Sequence, residues 1–148
     1  GLDDAGLRDR LLALYRELAA YPEVPGVLGV LKERGLAAAI LSNGSPDMLA
    51  AAARSAGIGG LLDAVLSVES AGVFKPDARV YALVAERFGC GRHEVLFVSA
   101  NGWDAAGAAA YGFRTVWVNR ARLPVDRLPA RPHHVVADLN PIPDLARS

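Results

Sequence analysis

An α/β fold, a parallel sheet with helices on both faces, follows from three features of these 148 residues. Short apolar runs alternate with longer stretches of helical spacing. The apolar runs are hydrophobic at consecutive positions, as in strands buried between two layers. Glycine closes four of the helical stretches, at Gly35, Gly57, Gly89 and Gly112. Strands that alternate with helices imply right-handed crossovers between parallel neighbours.

Leu7, Leu11, Leu14 and Leu18 repeat at helical spacing behind two N-cap candidates, Asp3 and Asp4, and predict an amphipathic helix to about residue 20. Y-P-E-V-P-G breaks it, and a second helix is expected from Val27 to Arg34. L-A-A-A-I-L, residues 36–41, reads as a buried strand. S-N-G-S-P leads into a helix over residues 46–56, with Pro46 in its first turn. The unit repeats as strand 64–68, loop E-S-A-G-V-F-K and helix 76–88, then as strand 95–98 and helix 103–111. The small residues from Ala105 to Ala110 allow that last helix to lie close on the sheet. Strand 115–118 opens into the Pro/Arg-rich loop N-R-A-R-L-P-V-D-R-L-P-A-R-P. A short strand at 134–137 precedes a tail with no defined element.

The length suits one domain, and 52% hydrophobic residues supply a core. Sixteen basic residues balance sixteen acidic ones, so no electrostatic reason exists to propose nucleic acid or an anionic membrane as partner. No apolar run reaches the roughly 20 residues of a membrane span. The single cysteine, Cys90, excludes an internal disulfide and a thiolate metal cluster, and the chain reads as cytoplasmic. No signal peptide is visible at G-L-D-D-A-G-L-R-D-R, and the absent initiating methionine suggests a start partway through a longer chain.

In open parallel sheets, ligands bind outside the carboxyl ends of the strands. Polar residues collect there: Ser42 and Asn43 after one strand, Lys75 after the next, and Ser99, Asn101 and Asp104 after the third. Singly, each has a plain structural reading: a helix cap for Ser42, a solvated loop lysine for Lys75, an acid favoured at a helix N-terminus for Asp104. Convergence of three strand ends favours a site. A single carboxylate, Asp104, serves magnesium poorly. His93, His133 and His134 read as surface histidines in loops. A lysine, an acid, two hydroxyls and two amides can instead hold an anion and keep a nearby carboxylate ionised.

L-S-N-G-S-P-D-M-L, V-F-K-P-D-A-R-V-Y, F-V-S-A-N-G-W-D-A-A-G-A and T-V-W-V-N-R, in this order and at these spacings, resemble the L-2-haloacid dehalogenases (type II) of the haloacid dehalogenase superfamily. The resemblance runs from about Tyr15 to the end of the chain. It implies a Rossmann-like core over residues 22–148, the last helix of a helical cap over residues 1–21, and a first, central strand missing from the chain. The implied reaction is displacement of halide from C2 of a short L-2-haloacid by an aspartate. Water then hydrolyses the aspartyl ester to the D-2-hydroxy acid. By position, Ser42 would bind the substrate carboxylate, and Asn43 with the Trp103 region would cradle the halide. Lys75 would orient the nucleophile and keep it ionised. Ser99, Asn101 and Asp104 would fix Lys75 and the hydrolytic water, and Tyr81 would line the pocket, core packing being the other reading of Tyr81 and Trp103.

Ser99-Ala100-Asn101 stands where the phosphatase branches carry an extra acid for magnesium, so the resemblance implies neither metal nor cofactor. A homodimer is compatible with it. The family's nucleophile lies in a D-x-Y-G-T-L-like segment and its halide-binding arginine in the cap. Neither is here, and Asp3, Asp4 and Asp9 lie on a helix rather than at a strand end. The chain is therefore expected to be inactive alone. It should form most of a core with a gap, to be filled by another segment, another chain or non-native pairing. A catalytically dead remnant or carboxylate-binding module, and a superfamily phosphatase, stay open as alternatives.

Overall fold

The computed structural model describes residues 4–14 and 17–147, and the chain forms two compact units, Gly1–Ser67 and Val68–Ser148. The first contains α1 (Ala5–Leu14), α2 (Val24–Glu33), β1 (Ala39–Ser42), α3 (Pro46–Ser55) and β2 (Ala64–Ser67). Asp4 closes the first turn of α1 by accepting from Leu7 N at 3.0 Å. The other cap candidate, Asp3, lies outside the described residues, as do residues 15 and 16 of the expected helix. Residues 17–20 are not helical. The stripe that predicted the helix is uncovered: Leu11, Leu14 and Leu18 are exposed.

α2 begins at Val24 rather than Val27. Pro25 sits in its first turn, where a missing N–H removes no helical bond, so the proline starts this helix instead of blocking it. Its far end closes with Leu36 N on Leu31 O and Gly35 N on Lys32 O, both at 3.0 Å. That closure consumes the Leu36 amide, which is why β1 starts at Ala39 and not at residue 36. β1 and β2 pair in parallel, from Ala39 opposite Ala64 to Ser42 opposite Ser67. Asp63 extends the pair, its carboxylate accepting from Ala38 N at 2.8 Å and its own amide donating to Ala38 O at 2.7 Å. Among the described residues, Val27, Leu31 and Ala53 are the buried apolar side chains of this unit.

The second unit holds α4 (Ala78–Phe88), β3 (Leu96–Ser99), α5 (Gly102–Tyr111), β4 (Arg114–Val118), β5 (His134–Val136) and α6 (Ile142–Leu145). Its sheet is parallel throughout in the order β3-β4-β5. Thr115, Val116, Trp117 and Val118 are all buried, and successive strand side chains point to opposite faces, so both faces of β4 are covered. α5 lies on β3 and β4 through Ala105, Ala106 and Ala108, as its small residues predict. The strands thus form two parallel sheets, and among the described residues β1 and β3 each carry a single ladder.

Three local outcomes depart from the sequence reading. α4 starts at Ala78, not Pro76, because Asp77 is extended and accepts from Arg79 N at 2.9 Å, a better N-cap than the lysine–proline pair before it. The tail carries α6, whose Ile142 and Pro143 are buried, and Arg114 Nη2 ties it down by donating to Leu145 O at 2.6 Å. His134 opens β5, in line with the strand expected at 134–137 and against its reading as a loop histidine. His133 is exposed but its ring is engaged: Thr115 N donates to Nδ1 at 3.2 Å, while His133 N donates to Thr115 Oγ1 at 3.1 Å.

Candidate functional site

The carboxyl ends of the strands carry the predicted polar residues. In the first unit, Ser42 closes β1 and its Oγ accepts from Gly44 N at 3.1 Å, while Ser67 Oγ at the end of β2 donates to Gly44 O at 2.7 Å. The two hydroxyls therefore fix the S-N-G turn from both of its polar sides. Ser45, not Ser42, is the N-cap of α3, accepting from Met48 N. Asn43 stands exposed at the tip of this turn. A Cβ on Gly44 would meet Leu49 Cδ2 at 3.0 Å, so a larger residue there would push on α3.

In the second unit the fold gathers four of the expected residues around the carboxylate of a fifth, Asp104. Asp104 is 4% exposed and both of its oxygens accept hydrogen bonds. Lys75 Nζ donates to Oδ2 at 3.0 Å, Ser99 Oγ donates to the same oxygen at 2.9 Å, and Tyr81 OH donates to Oδ1 at 3.0 Å. Asn101 acts here through its backbone. Its N–H donates to Ser99 Oγ at 3.1 Å, and its carbonyl accepts from Asp104 N at 3.1 Å and Ala105 N at 3.0 Å. The β3–α5 turn is thereby stitched to the acid it presents. Trp117, one strand over, donates from Nε1 to Ala100 O at 3.1 Å and supports the same turn.

Local sequence explains the convergence. Ser99 ends β3, and Asp104 falls in the first turn of α5, where a carboxylate also meets the positive end of the helix. Lys75 precedes the cis Lys75–Pro76 bond that leads to α4, and Tyr81 follows within the first turns of that helix. Gly107 lets α5 pass close by: a Cβ there would lie 2.8 Å from both Pro76 Cβ and the Tyr81 hydroxyl oxygen. Burial is the first cause that pushes the Tyr81 hydroxyl above its ordinary pKa of 10, and the adjacent Asp104 charge and hydrogen bond add to it.

The two aromatic candidates separate. Tyr81 has no exposed surface and packs edge-on against Phe97, with ring centroids 5.6 Å apart. Trp103 is 41% exposed at the start of α5, so core packing is not its role in this chain. Among the described residues no three His, Cys, Asp or Glu side chains come together as a metal site. Phe97, Gly107 and Trp117 were not among the expected site residues. Phe97 had a readable signal: two positions before Ser99 in a strand, it shares that serine's face. Gly107 is a glycine interrupting an alanine-rich helix, and such a residue often marks a close approach. Trp117 had no local signal, because its partner is 17 residues away.

Comparison with known proteins adds an independent line. The family model described as haloacid dehalogenase-like hydrolase matches residues 3–112. The (S)-2-haloacid dehalogenase 1 of Pseudomonas sp. (strain CBS-3) is 42% identical over 97% of this chain and 63% of its own length. The (S)-2-haloacid dehalogenase of Pseudomonas sp. (strain YL) is 44% identical over 98% and 63%. The L-2-haloacid dehalogenase from Xanthobacter autotrophicus, solved with chloropropionic acid covalently bound, superposes with a TM-score of 0.85 at 38% identity, over 99% of this chain and 68% of that one. The chain thus spans slightly under two thirds of the length of these curated relatives.

Proposed function

Because this chain belongs to the haloacid dehalogenase-like hydrolase family, we propose that it is the greater part of a hydrolase that removes halide from short L-2-haloacids and yields D-2-hydroxy acids. The observation that carries the reading is the buried Lys75–Asp104–Ser99–Tyr81 cluster at the carboxyl end of β3. It contains a cation held in place by a carboxylate whose two oxygens are already committed to donors. Such a carboxylate is suited to positioning rather than to attack or to metal binding. The nucleophile is then a different aspartate, which we assign to sequence beyond these 148 residues, since the relatives are longer than the part this chain matches. That aspartate displaces halide at C2 with inversion. Water adds to the ester carbonyl and releases the hydroxy acid, regenerating the carboxylate.

Lys75 orients the attacking carboxylate and favours its ionised form. Asp104 and Ser99 hold Lys75, and Asn101 holds Ser99 and places the hydrolytic water. The zero exposure of Tyr81 supports a role behind Asp104 rather than at the pocket wall. The S-N-G turn offers Ser42 and neighbouring backbone N–H groups to the substrate carboxylate. Asn43 and the exposed Trp103 serve the departing halide, where dipoles aimed at developing charge act most strongly. Residues 1–21 are assigned to the end of a cap domain, a reading supported by the exposed Leu11, Leu14 and Leu18.

The test is halide release from 2-chloropropanoate by the whole protein, with product configuration read by chiral chromatography. Release from the S enantiomer only, with inverted product, is expected. This chain by itself should show no turnover. Magnesium-dependent phosphate release without halide release would replace the reading with a phosphatase; binding of the haloacid without turnover by the whole protein would make it a binding module.

A further inference from the structure

We propose that Phe97 is a positioning residue for Lys75, holding the ammonium group through the electrostatics of its ring face; as a statement about the reaction, this rests on the function proposed above. Lys75 Nζ lies over the Phe97 ring, 4.9 Å from its centroid, while donating to Asp104 Oδ2 at 3.0 Å. The lysine head is therefore gripped on two sides by groups of different chemistry. A carboxylate sets one direction of approach, and a negative ring face sets another.

The grip is built into the strand. Phe97 and Ser99 share one face of β3, and Ser99 Oγ donates to the same Asp104 oxygen as Lys75. A single strand face thus addresses the carboxylate and the cation together. The ring itself has little freedom. It is 8% exposed, meets Tyr81 edge-on at 5.6 Å, and stacks with Phe113 at 6.0 Å. Tyr81 holds the other Asp104 oxygen, so one contiguous group of side chains sets both partners of Lys75. The side chain of Lys75 is 8% exposed, and a cation–ring contact is stronger where water is excluded.

Lysine occurs only at positions 32 and 75, which makes the test direct. Phe97 is replaced by mono-, di- and trifluorophenylalanine, which keep the ring's shape but drain its face of negative charge, and separately by Leu. Acylation of each lysine by a lysine-selective ester is followed by mass spectrometry. The Lys75 rate should rise stepwise with fluorine number, reaching about 3- to 30-fold for the trifluoro ring and for Phe97→Leu. Lys32, which donates to Gly60 O in the other unit, serves as the internal control and should not change. In the whole protein kcat for halide release should fall in the same order while KM stays nearly constant. A Lys75 rate that ignores fluorine number would overturn the proposal and leave Phe97 as packing alone. Absence of halide release from the unsubstituted protein would remove the functional reading instead, and the acylation series would still decide whether the ring holds the lysine.

Discussion

Lys75 Nζ meets Asp104 Oδ2 at 3.0 Å, and the two side chains are only 8% and 5% exposed. A pair so withdrawn from water is stabilising only while both members are present, because either charge left alone in that place is costly. Asp104→Ala should therefore lower stability by about 3–5 kcal/mol, read from urea unfolding. A loss under about 1 kcal/mol would mean that water reaches Lys75 readily, in the range of a surface pair.

Tyr81 links stability to alkaline pH. Its hydroxyl is held above the ordinary value of 10, by burial first and then by Asp104. Between 10 and that raised value the unfolded phenol has lost its proton and the folded one keeps it. The unfolded state then binds fewer protons, so stability falls as pH rises above 10. Tyr81→Phe should remove this alkaline loss and cost about 1.5–3 kcal/mol at neutral pH, because the missing hydrogen bond is one to a buried carboxylate. Denaturation curves of both proteins at pH 8 and about pH 11 decide it: parallel losses would contradict the assignment.

Asp77 behaves oppositely. Hydrogen bonds from the side chain and then the backbone N–H of Arg79 hold its carboxyl at about 2, below the ordinary 3.8. Its stabilising effect on α4 is present above the unfolded value and is lost as pH falls from about 4 towards 2. Because the group is exposed, the effect should be small. Asp77→Asn keeps a capping side chain but should flatten that part of the acid stability curve, measured by circular dichroism of the helical signal. An unchanged slope would show that the pairing with Arg79 does not persist in solution.

Gly107 gives a prediction against helix propensity. Glycine to alanine inside a helix ordinarily favours the helix by about 1 kcal/mol. Here the added Cβ would stand 2.8 Å from Pro76 Cβ and from the Tyr81 oxygen, so α5 or the Lys75–Pro76 turn must move. Gly107→Ala should be destabilising by about 1–3 kcal/mol, as overpacking is, whereas Gly29→Ala in α2, where an added Cβ meets nothing within 4 Å, should be tolerated. A more stable Gly107→Ala protein would show that the two helices can separate without cost.

His133→Ala isolates a connection between β4 and the segment leading to β5. Thr115 is fully buried, and its amide donates to His133 Nδ1. Removing the ring leaves that buried donor without this acceptor, at about 1–3 kcal/mol. His93→Ala, at an exposed turn, is the control and should stay within about 0.5 kcal/mol. Equal effects of the two substitutions would deny the Thr115 contact any weight.

Much of this protein is legible in one dimension. Alternating apolar runs and helical spacings specify parallel strands with crossover helices, because only buried strands tolerate hydrophobic side chains on both faces. The strand ends at Ser42 and Ser99 and the acid in the first turn of α5 were readable for the same reason: local periodicity and capping chemistry depend on neighbours along the chain. What depends on residues far apart was decided only by tertiary structure. Donors from β3, from α4 and from the loop before α4 share the two oxygens of Asp104, Tyr81 reaches that carboxylate with no exposed surface of its own, and Phe97 lies under Lys75. Element boundaries shifted where a distant or competing hydrogen bond claimed a backbone group, as Leu31 claims the Leu36 amide and Asp77 the first turn of α4. Sequence spacing places side chains on a face; the distance between faces, and hence which oxygen meets which nitrogen, is set by how closely α4, α5 and β3 pack.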